Sequence, residues 1–179
     1  ITSGGLLEQY AHRHQLPLIL IPGGMPPRSC IGYALVQVLF VLKRAGLLRT
    51  AFEKEIAATA RELKLAQKQI QKKAKTIASK LYGKIPVIYT PASHEGLAKR
   101  FRQQLNENSK VLAWHHVLPE MTHNEIVGWR QPHENIAVLF CYAPSDYERT
   151  LRRMTFLKKT IKPYNASLID LLLEGDHYW

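Results

Sequence analysis

The stretch from residue 85 to residue 101 reads IPVIYTPASHEGLAKRF, and it decides the fold class. A short apolar run rich in β-branched residues leads into a turn signal at Pro91, and a helical pattern follows. Continuous apolar runs of this length are typical of strands that are buried on both faces of a parallel sheet. The stretch therefore predicts one strand, turn and helix unit of an α/β fold.

The same succession recurs on both sides of this unit. Further strand-like runs occupy residues 16–22, 110–115 and 135–142, and each precedes a turn signal and a helical pattern. Strands that alternate with helix-length segments are typical of α/β folds. We therefore predict a parallel sheet flanked by helices on both faces. A last apolar run, residues 168–173, is predicted as a helix.

A long lysine-rich segment lies between the first strand-like run and the second. Gly46 interrupts one helical pattern and Gly83 ends the next, so residues 47–82 are predicted as a helical connector. Its apolar residues recur at helical spacing and define one buried stripe, with the lysines on the outer face. No aromatic residue lies between Phe52 and Tyr82 to stack on bases, so we interpret the charge as a solvated helix face.

Composition limits the possible partners. The 179 residues are 46% hydrophobic and 22% charged, which is typical of a globular chain, and the net charge of +11 favours an anionic partner. The longest run without a charged residue is shorter than the ~20 residues that span a bilayer, so no membrane partner is predicted. No CxxC or HExxH motif is present, so no metal site is predicted. Cys30 and Cys141 stand far apart in apolar surroundings, which favours a reducing, cytoplasmic location.

Glu107 is a candidate functional residue because of its unfavourable position. It lies between Asn106 and Asn108 at the end of a predicted helix, just before a predicted strand. The helix dipole disfavours an acid at that end. The alternatives are a special chemical role or a solvated surface glutamate.

A second polar group follows the same predicted strand. It contains His123, Asn124 and Glu125, and Thr122 is placed to cap a helix whose third residue is Glu125, so capping is the favoured role of that glutamate. The preceding pair, His115 and His116, is predicted to point to opposite faces of the sheet, with a packing role.

Arg28 closes the loop PGGMPPR, residues 22–28, and precedes an apolar helix. The helix dipole favours an anion there, so the arginine and the free backbone N–H groups suit an anionic ligand or a developing oxyanion. A surface arginine is the alternative.

Three segments together resemble one known family. They read ITSGG followed by LPLILIPGGMPPRSCIGY, then LNENSK at residues 105–110, and LPEMTHNEIVGW at residues 118–129. In this order they closely resemble the bifunctional phosphoglucose/phosphomannose isomerases of the sugar isomerase (SIS) family. The resemblance is close over residues 1–46 and 85–129.

The resemblance implies a fold and a domain organisation. In this family two SIS lobes, each a flavodoxin-like three-layer sandwich, are joined in one chain. Residues 1–46 would be the C-terminal part of the first lobe, and residues 47–179 the helical connector and the second lobe. The chain is therefore expected to be a piece of a longer protein.

The resemblance also implies an activity. Family members interconvert glucose 6-phosphate, and also mannose 6-phosphate, with fructose 6-phosphate, by ring opening and proton transfer between C1 and C2 through a cis-enediol. No cofactor or metal is implied. The implied partners are the sugar phosphate and a second copy of the chain in a homodimer with a shared active site. The alternatives are a non-catalytic SIS module that binds a sugar phosphate as a regulatory ligand, and nucleic-acid binding through the lysine-rich helix.

Residue roles follow from the matched motifs. Glu107 resembles the base that shuttles the proton. His123 resembles the group that opens the sugar ring, which in the family comes from the neighbouring subunit. Arg28 resembles the cation that binds the substrate and stabilises the enediolate, and Asn124 and Glu125 are implied to bind substrate. The phosphate-binding loop would precede Ile1, so these 179 residues alone are expected to be a poor catalyst.

Overall fold

The computed structural model of the chain describes residues 1–164 and 167–174. It divides into two compact units, residues 1–68 and residues 69–179, and the boundary falls inside a long helix. The end of the predicted second lobe, residues 175–179, lies outside the described residues. The predicted division at residue 46 into parts of two lobes stays a prediction.

The second unit is built on a parallel sheet of four strands in the order β2-β1-β3-β4. All three strand pairs are parallel, as predicted. In the central register, Tyr89 lies opposite His116 on one side and opposite Phe140 on the other. The strands are β1 Ile85–Pro91, β2 Trp114–Leu118, β3 Ile136–Tyr142 and β4 Ser167–Leu172.

The described residues also form five α-helices, of which the first two belong to the first unit and the last two to the second. They are α1 Leu6–Arg13, α2 Ile31–Arg44, α3 Glu53–Leu81, α4 Glu95–Gln104 and α5 Glu148–Ile161. None of these helices combines the length and apolar character needed to cross a membrane.

Successive strand residues point to opposite faces of the sheet, so these apolar strands give it two apolar faces. Helices cover both of them. One face packs against α5 through a cluster of buried residues that includes Tyr89, Phe140 and Leu157. The other face packs against α4 and the end of α3 through Ile88, Leu139 and their neighbours. The predicted three-layer α/β arrangement is confirmed.

Two predicted elements are wrong. Residues 168–173, predicted as a helix, lie mostly in β4, because the open edge of β3 offers a partner for a run that is too short to show a period. Residues 16–22, predicted as a strand, form only an isolated bridge between Leu20 and Thr2. The strand predicted at residues 110–115 begins only at Trp114, because Lys110 takes a left-handed turn conformation with φ of 57°.

The predicted connector is a single helix, α3, that ends shortly before Gly83. Gly46 and Gly83 both have positive φ values, +73° and +70°, which glycine adopts without strain. The prediction of one continuous buried stripe is wrong in the middle of the helix, where Leu63 and Ile70 are exposed.

The first unit is mostly exposed. All residues of the apolar helix α2 are at least partly exposed in the part of the chain that the structure describes. Next to its end, Phe52 is buried beneath Phe40 and the ammonium group of Lys43, which also pairs with Glu53. A shallow cavity of about 520 Å³ lies against the same end of α2.

Candidate functional site

Arg28 lies in a short 3₁₀ helix, Pro27–Ser29, immediately before α2. The hydroxyl of Ser29 donates a hydrogen bond to the carbonyl of Pro26 at 2.8 Å, which holds the turn together. The Arg28 side chain is half-buried. The structure therefore places Arg28 at the entry of an apolar helix, as predicted, and in the first unit.

Glu107 lies in the second unit, in a π-helical turn, Leu105–Ser109, that continues α4. Such turns are frequent at functional sites. The amide of Asn106 donates to the carbonyl of Val111 at 2.7 Å, and the ammonium of Lys110 donates to the Glu107 carbonyl at 2.5 Å. These bonds fix the backbone of the turn. The Glu107 side chain is exposed, and no described residue forms a hydrogen bond or an ion pair with its carboxylate.

His123 lies in the loop that follows β2. The 3₁₀ turn Glu120–Thr122 precedes it, and the His123 amide donates to the Glu120 carbonyl at 2.9 Å. Met121 anchors this turn in the core with no exposed surface. The His123 ring itself is exposed.

Asn124 begins the next short helix, Glu125–Arg130, because its side-chain oxygen accepts a hydrogen bond from the Glu125 amide. The capping role predicted for Thr122 is wrong, since its hydroxyl donates to the carbonyl of Pro119. The capping role favoured for Glu125 is also wrong. The Glu125 side chain turns towards the sheet and binds three other groups.

The Glu125 carboxylate is the centre of a polar cluster. One oxygen accepts from the Tyr89 hydroxyl at 2.7 Å and from the Trp114 indole N–H at 2.9 Å. The other oxygen lies 2.6 Å from Nδ1 of His116. The Tyr89 hydroxyl in turn accepts from the Trp129 indole N–H at 2.9 Å. Burial, and next the charge of Glu125, raise the pKa of Tyr89, so the phenol stays a neutral donor.

A second polar pair, not predicted from the sequence, lies beyond the carboxyl ends of β1 and β3. Nε2 of His94 is 2.8 Å from one Asp146 oxygen, and the other oxygen accepts from the Ala143 amide at 2.7 Å. The chain runs in opposite directions from β1 and from β3, so this is the point at which the strand order reverses. Such crevices bind ligands in open α/β sheets. The available signal was a polar residue shortly after each strand, three positions after β1 and four after β3, but its use required knowing that β1 and β3 are neighbours.

The structure brings some of the predicted residues together and keeps others apart. His123, Asn124 and Glu125 share one loop after β2, whereas Glu107 is attached before the start of β2. Within the described part of the chain, the side chains of Glu107 and His123 form no ion pair with each other. Across the described residues, no group of three or more His, Cys, Asp or Glu side chains could hold a metal ion.

Comparison with known proteins identifies relatives of the whole chain. The sequence profile of the bacterial phospho-glucose isomerase C-terminal SIS domain matches residues 70–179. A bifunctional phosphoglucose/phosphomannose isomerase of Aquifex aeolicus is 33% identical over 99% of this chain and 54% of its own length. Its counterpart in Caldicellulosiruptor bescii is 29% identical over 98% of this chain and 55% of its own length. The chain thus spans about half the length of these curated relatives.

A solved structure supports the fold. A hypothetical protein of Thermus thermophilus superposes with a TM-score of 0.68 and 12% identity, covering 94% of this chain and 49% of that protein. The family profile covers the α4 turn with Glu107, the loop with His123 and the complete parallel sheet. The chain belongs to the family of bacterial phospho-glucose isomerase C-terminal SIS domains.

Proposed function

We propose that this chain is the catalytic C-terminal part of an aldose–ketose isomerase that interconverts glucose 6-phosphate and mannose 6-phosphate with fructose 6-phosphate. The observation that carries the proposal is the exposed Glu107 carboxylate, held on a fixed π-helical turn without a partner among the described residues. A base that exchanges a carbon-bound proton needs this freedom to approach a substrate. The names of the curated relatives support the substrate class.

In the proposed reaction, His123 opens the sugar ring by moving a proton between the ring oxygen and the hydroxyl of the anomeric carbon. Glu107 then removes the proton from C2 of the aldose while the carbonyl oxygen on C1 takes up a proton, which gives a cis-enediol. Glu107 returns a proton to C1 while the hydroxyl on C2 releases one and becomes the carbonyl of the ketose. Arg28 binds the substrate and stabilises the negative oxygen that develops in this step. Protons and electrons balance without a cofactor, and general acid–base help of this kind is worth ~10² to 10⁴ in rate.

We propose that two copies of the chain share each active site. Glu107 and His123 are attached before and after β2, and their side chains form no ion pair within the described part of one chain. Glu107 of one subunit would act with His123 of the partner subunit. Both cysteines are free and buried, which supports a cytoplasmic location for this dimer.

The experiment that tests the function uses the full-length protein that contains this chain. It should convert fructose 6-phosphate into both glucose 6-phosphate and mannose 6-phosphate. Glu107→Gln should abolish both conversions while sugar phosphate binding, measured by calorimetry, remains. The matched control is Glu120→Gln, because Glu120 is exposed and its carboxylate has no partner among the described residues.

Two outcomes would contradict the proposal. A full-length protein that binds fructose 6-phosphate without converting it would be a non-catalytic SIS module with a regulatory ligand. A Glu107→Gln variant with wild-type rates would show that another group moves the proton.

A further inference from the structure

The loop that carries His123 is anchored on both sides. Two residues before His123, Met121 is completely buried in the core. Two residues after it, Glu125 reaches back to the sheet. The His123 ring is exposed between these anchors, so its backbone is fixed while its side chain faces outward.

The Glu125 anchor joins the loop to two strands. Its donors are Tyr89 in β1, and Trp114 and His116 in β2. Hydrogen bonds to an ionised carboxylate are shorter and stronger than bonds between neutral groups. The Trp129 indole N–H donates a hydrogen bond to the Tyr89 hydroxyl, so the hydroxyl that donates to Glu125 is itself held in place.

Glu125 has little capacity left for a ligand. Two oxygens of a carboxylate accept about four hydrogen bonds, and three donors of the chain already bind them. The side chain is only 27% exposed. This geometry favours a structural role for Glu125 over the substrate-binding role that the family resemblance implies.

We propose that Glu125 is a positioning residue. Its carboxylate fixes the backbone of residues 119–125 so that His123 is presented to the sugar ring, and it does not touch the substrate. The inference rests on the proposed function, in which His123 opens the ring. Displacing a reacting group by about 1 Å can reduce a rate ~10²-fold, so the loss of this anchor should be measurable.

The test compares two substrates in the full-length protein. Fructose 6-phosphate closes to a ring and needs opening, whereas 5-deoxyfructose 6-phosphate has no hydroxyl that can close a ring on C2. Glu125→Ala should reduce conversion of fructose 6-phosphate about tenfold or more. It should leave deuterium exchange at C1 of the 5-deoxy compound within about twofold of wild type, because that exchange needs Glu107 and no ring opening.

Conservative variants separate positioning from direct acid–base chemistry. Glu125→Gln keeps an acceptor for Tyr89 and Trp114 and offers an N–H to the other tautomer of His116. It should therefore keep most of the activity that Glu125→Ala loses. Trp114→Phe removes one donor only, at a residue that is 37% exposed, and should cause a smaller loss with the same substrate pattern. It keeps the test valid if Glu125→Ala does not fold. Glu120→Gln is the matched control in the same loop.

Hydrogen exchange gives a readout that does not depend on activity. Peptides that cover residues 119–128 should exchange faster in Glu125→Ala than in wild type, whereas peptides from β3 should not change. Equal exchange in the loop, equal losses with both substrates, or a Gln variant as impaired as the Ala variant would each overturn the positioning role. An inactive wild-type protein would overturn the proposed function and the ring-opening role with it, while exchange would still decide whether Glu125 anchors the loop.

Discussion

Two adjacent histidines of β2 differ in their electrostatic surroundings. His116 contacts the Glu125 carboxylate, whereas His115 lies on the opposite face, with Nε2 3.7 Å from a Glu95 oxygen. Burial, followed by the positive charge of Arg102, lowers the pKa of His115 below its ordinary value, and Glu95 offsets only part of this effect. The fold therefore favours the neutral form of His115.

This shift predicts a pH dependence of stability. The unfolded chain takes up a proton at the ordinary histidine pKa of about 6.5, before the folded chain does, so the free energy of unfolding should fall as the pH drops below that value. The contribution is fully present above the unfolded pKa. In urea unfolding of the full-length protein at pH 7.5 and at pH 5.5, His115→Gln should lose less stability than wild type.

The control for this prediction is His12→Gln, since His12 is exposed at the surface of α1. Its stability should change with pH as that of wild type does. If His115→Gln and wild type lose the same stability between the two pH values, the electrostatic account of His115 is wrong.

The sequence predicts the position of Glu125 but not its surroundings. The HNE motif at His123 marks the loop. The partners of Glu125 depend on the pairing of β1 with β2, which places Tyr89 opposite His116, and on the fold of a loop whose residues have no periodic pattern. The pair of His94 and Asp146 is not predicted from the sequence for the same reason. Its two residues are distant in sequence and come together only because β1 and β3 are neighbours in the sheet.

At the scale of elements, β4 is the clearest correction. Its residues pair with β3 from Ala137 to Tyr142. Ile169 is buried against the face that packs on α3 and α4, whereas Leu172 remains 40% exposed. The run reads as a helix in isolation because its leucines satisfy either period over so few residues.

This assignment predicts unequal effects of two substitutions. Ile169→Ala should destabilise the protein by about 2–5 kcal/mol, because it leaves a cavity in a closed core. Leu172→Ala should cost less than about 1 kcal/mol, because its side chain already contacts solvent. Urea unfolding followed by tryptophan fluorescence checks both values, and equal losses would contradict the burial pattern of the strand.

Elements with strong local signals are predicted well from the sequence. Strands β1 and β3 are apolar except for Thr90, and glycines follow α2 and α3 as predicted, both with positive φ. The start of β2 is not predictable in the same way. The π-helical turn and the left-handed conformation of Lys110 interrupt the extended backbone, so the strand begins only at Trp114. Residues 16–22 have no neighbouring strand among the described residues, and their one bridge is between Leu20 and Thr2. Without a partner strand, they do not form the strand that their composition favours.

At the scale of the whole molecule, the parallel sheet separates the two predicted acid–base residues. The π-helical turn with Glu107 precedes β2 and the loop with His123 follows it. A site that uses both residues is therefore proposed to draw them from two subunits. Most soluble oligomers are closed and symmetric, so a homodimer with two equivalent shared sites is the expected form.

Subunit mixing tests this arrangement. Full-length Glu107→Gln and His123→Ala proteins should each be inactive as homodimers. After unfolding, mixing and refolding together, they should regain about a quarter of the wild-type activity, because half of the dimers would be mixed and each would hold one intact site of two. Refolding each variant alone is the control, and a mixture that stays inactive while wild type refolds would contradict the shared site.

Proton transfer through Glu107 is the central claim, and solvent deuterium tests it most directly. When the full-length protein converts fructose 6-phosphate in D₂O, deuterium should appear at C2 of the glucose 6-phosphate formed, because a carboxylate exchanges its proton with solvent between the two steps. NMR spectroscopy of the product measures this incorporation. Glu107→Gln should give neither product nor deuterium at C1 of the remaining substrate. Conversion without any deuterium, or undiminished incorporation in Glu107→Gln, would contradict the account.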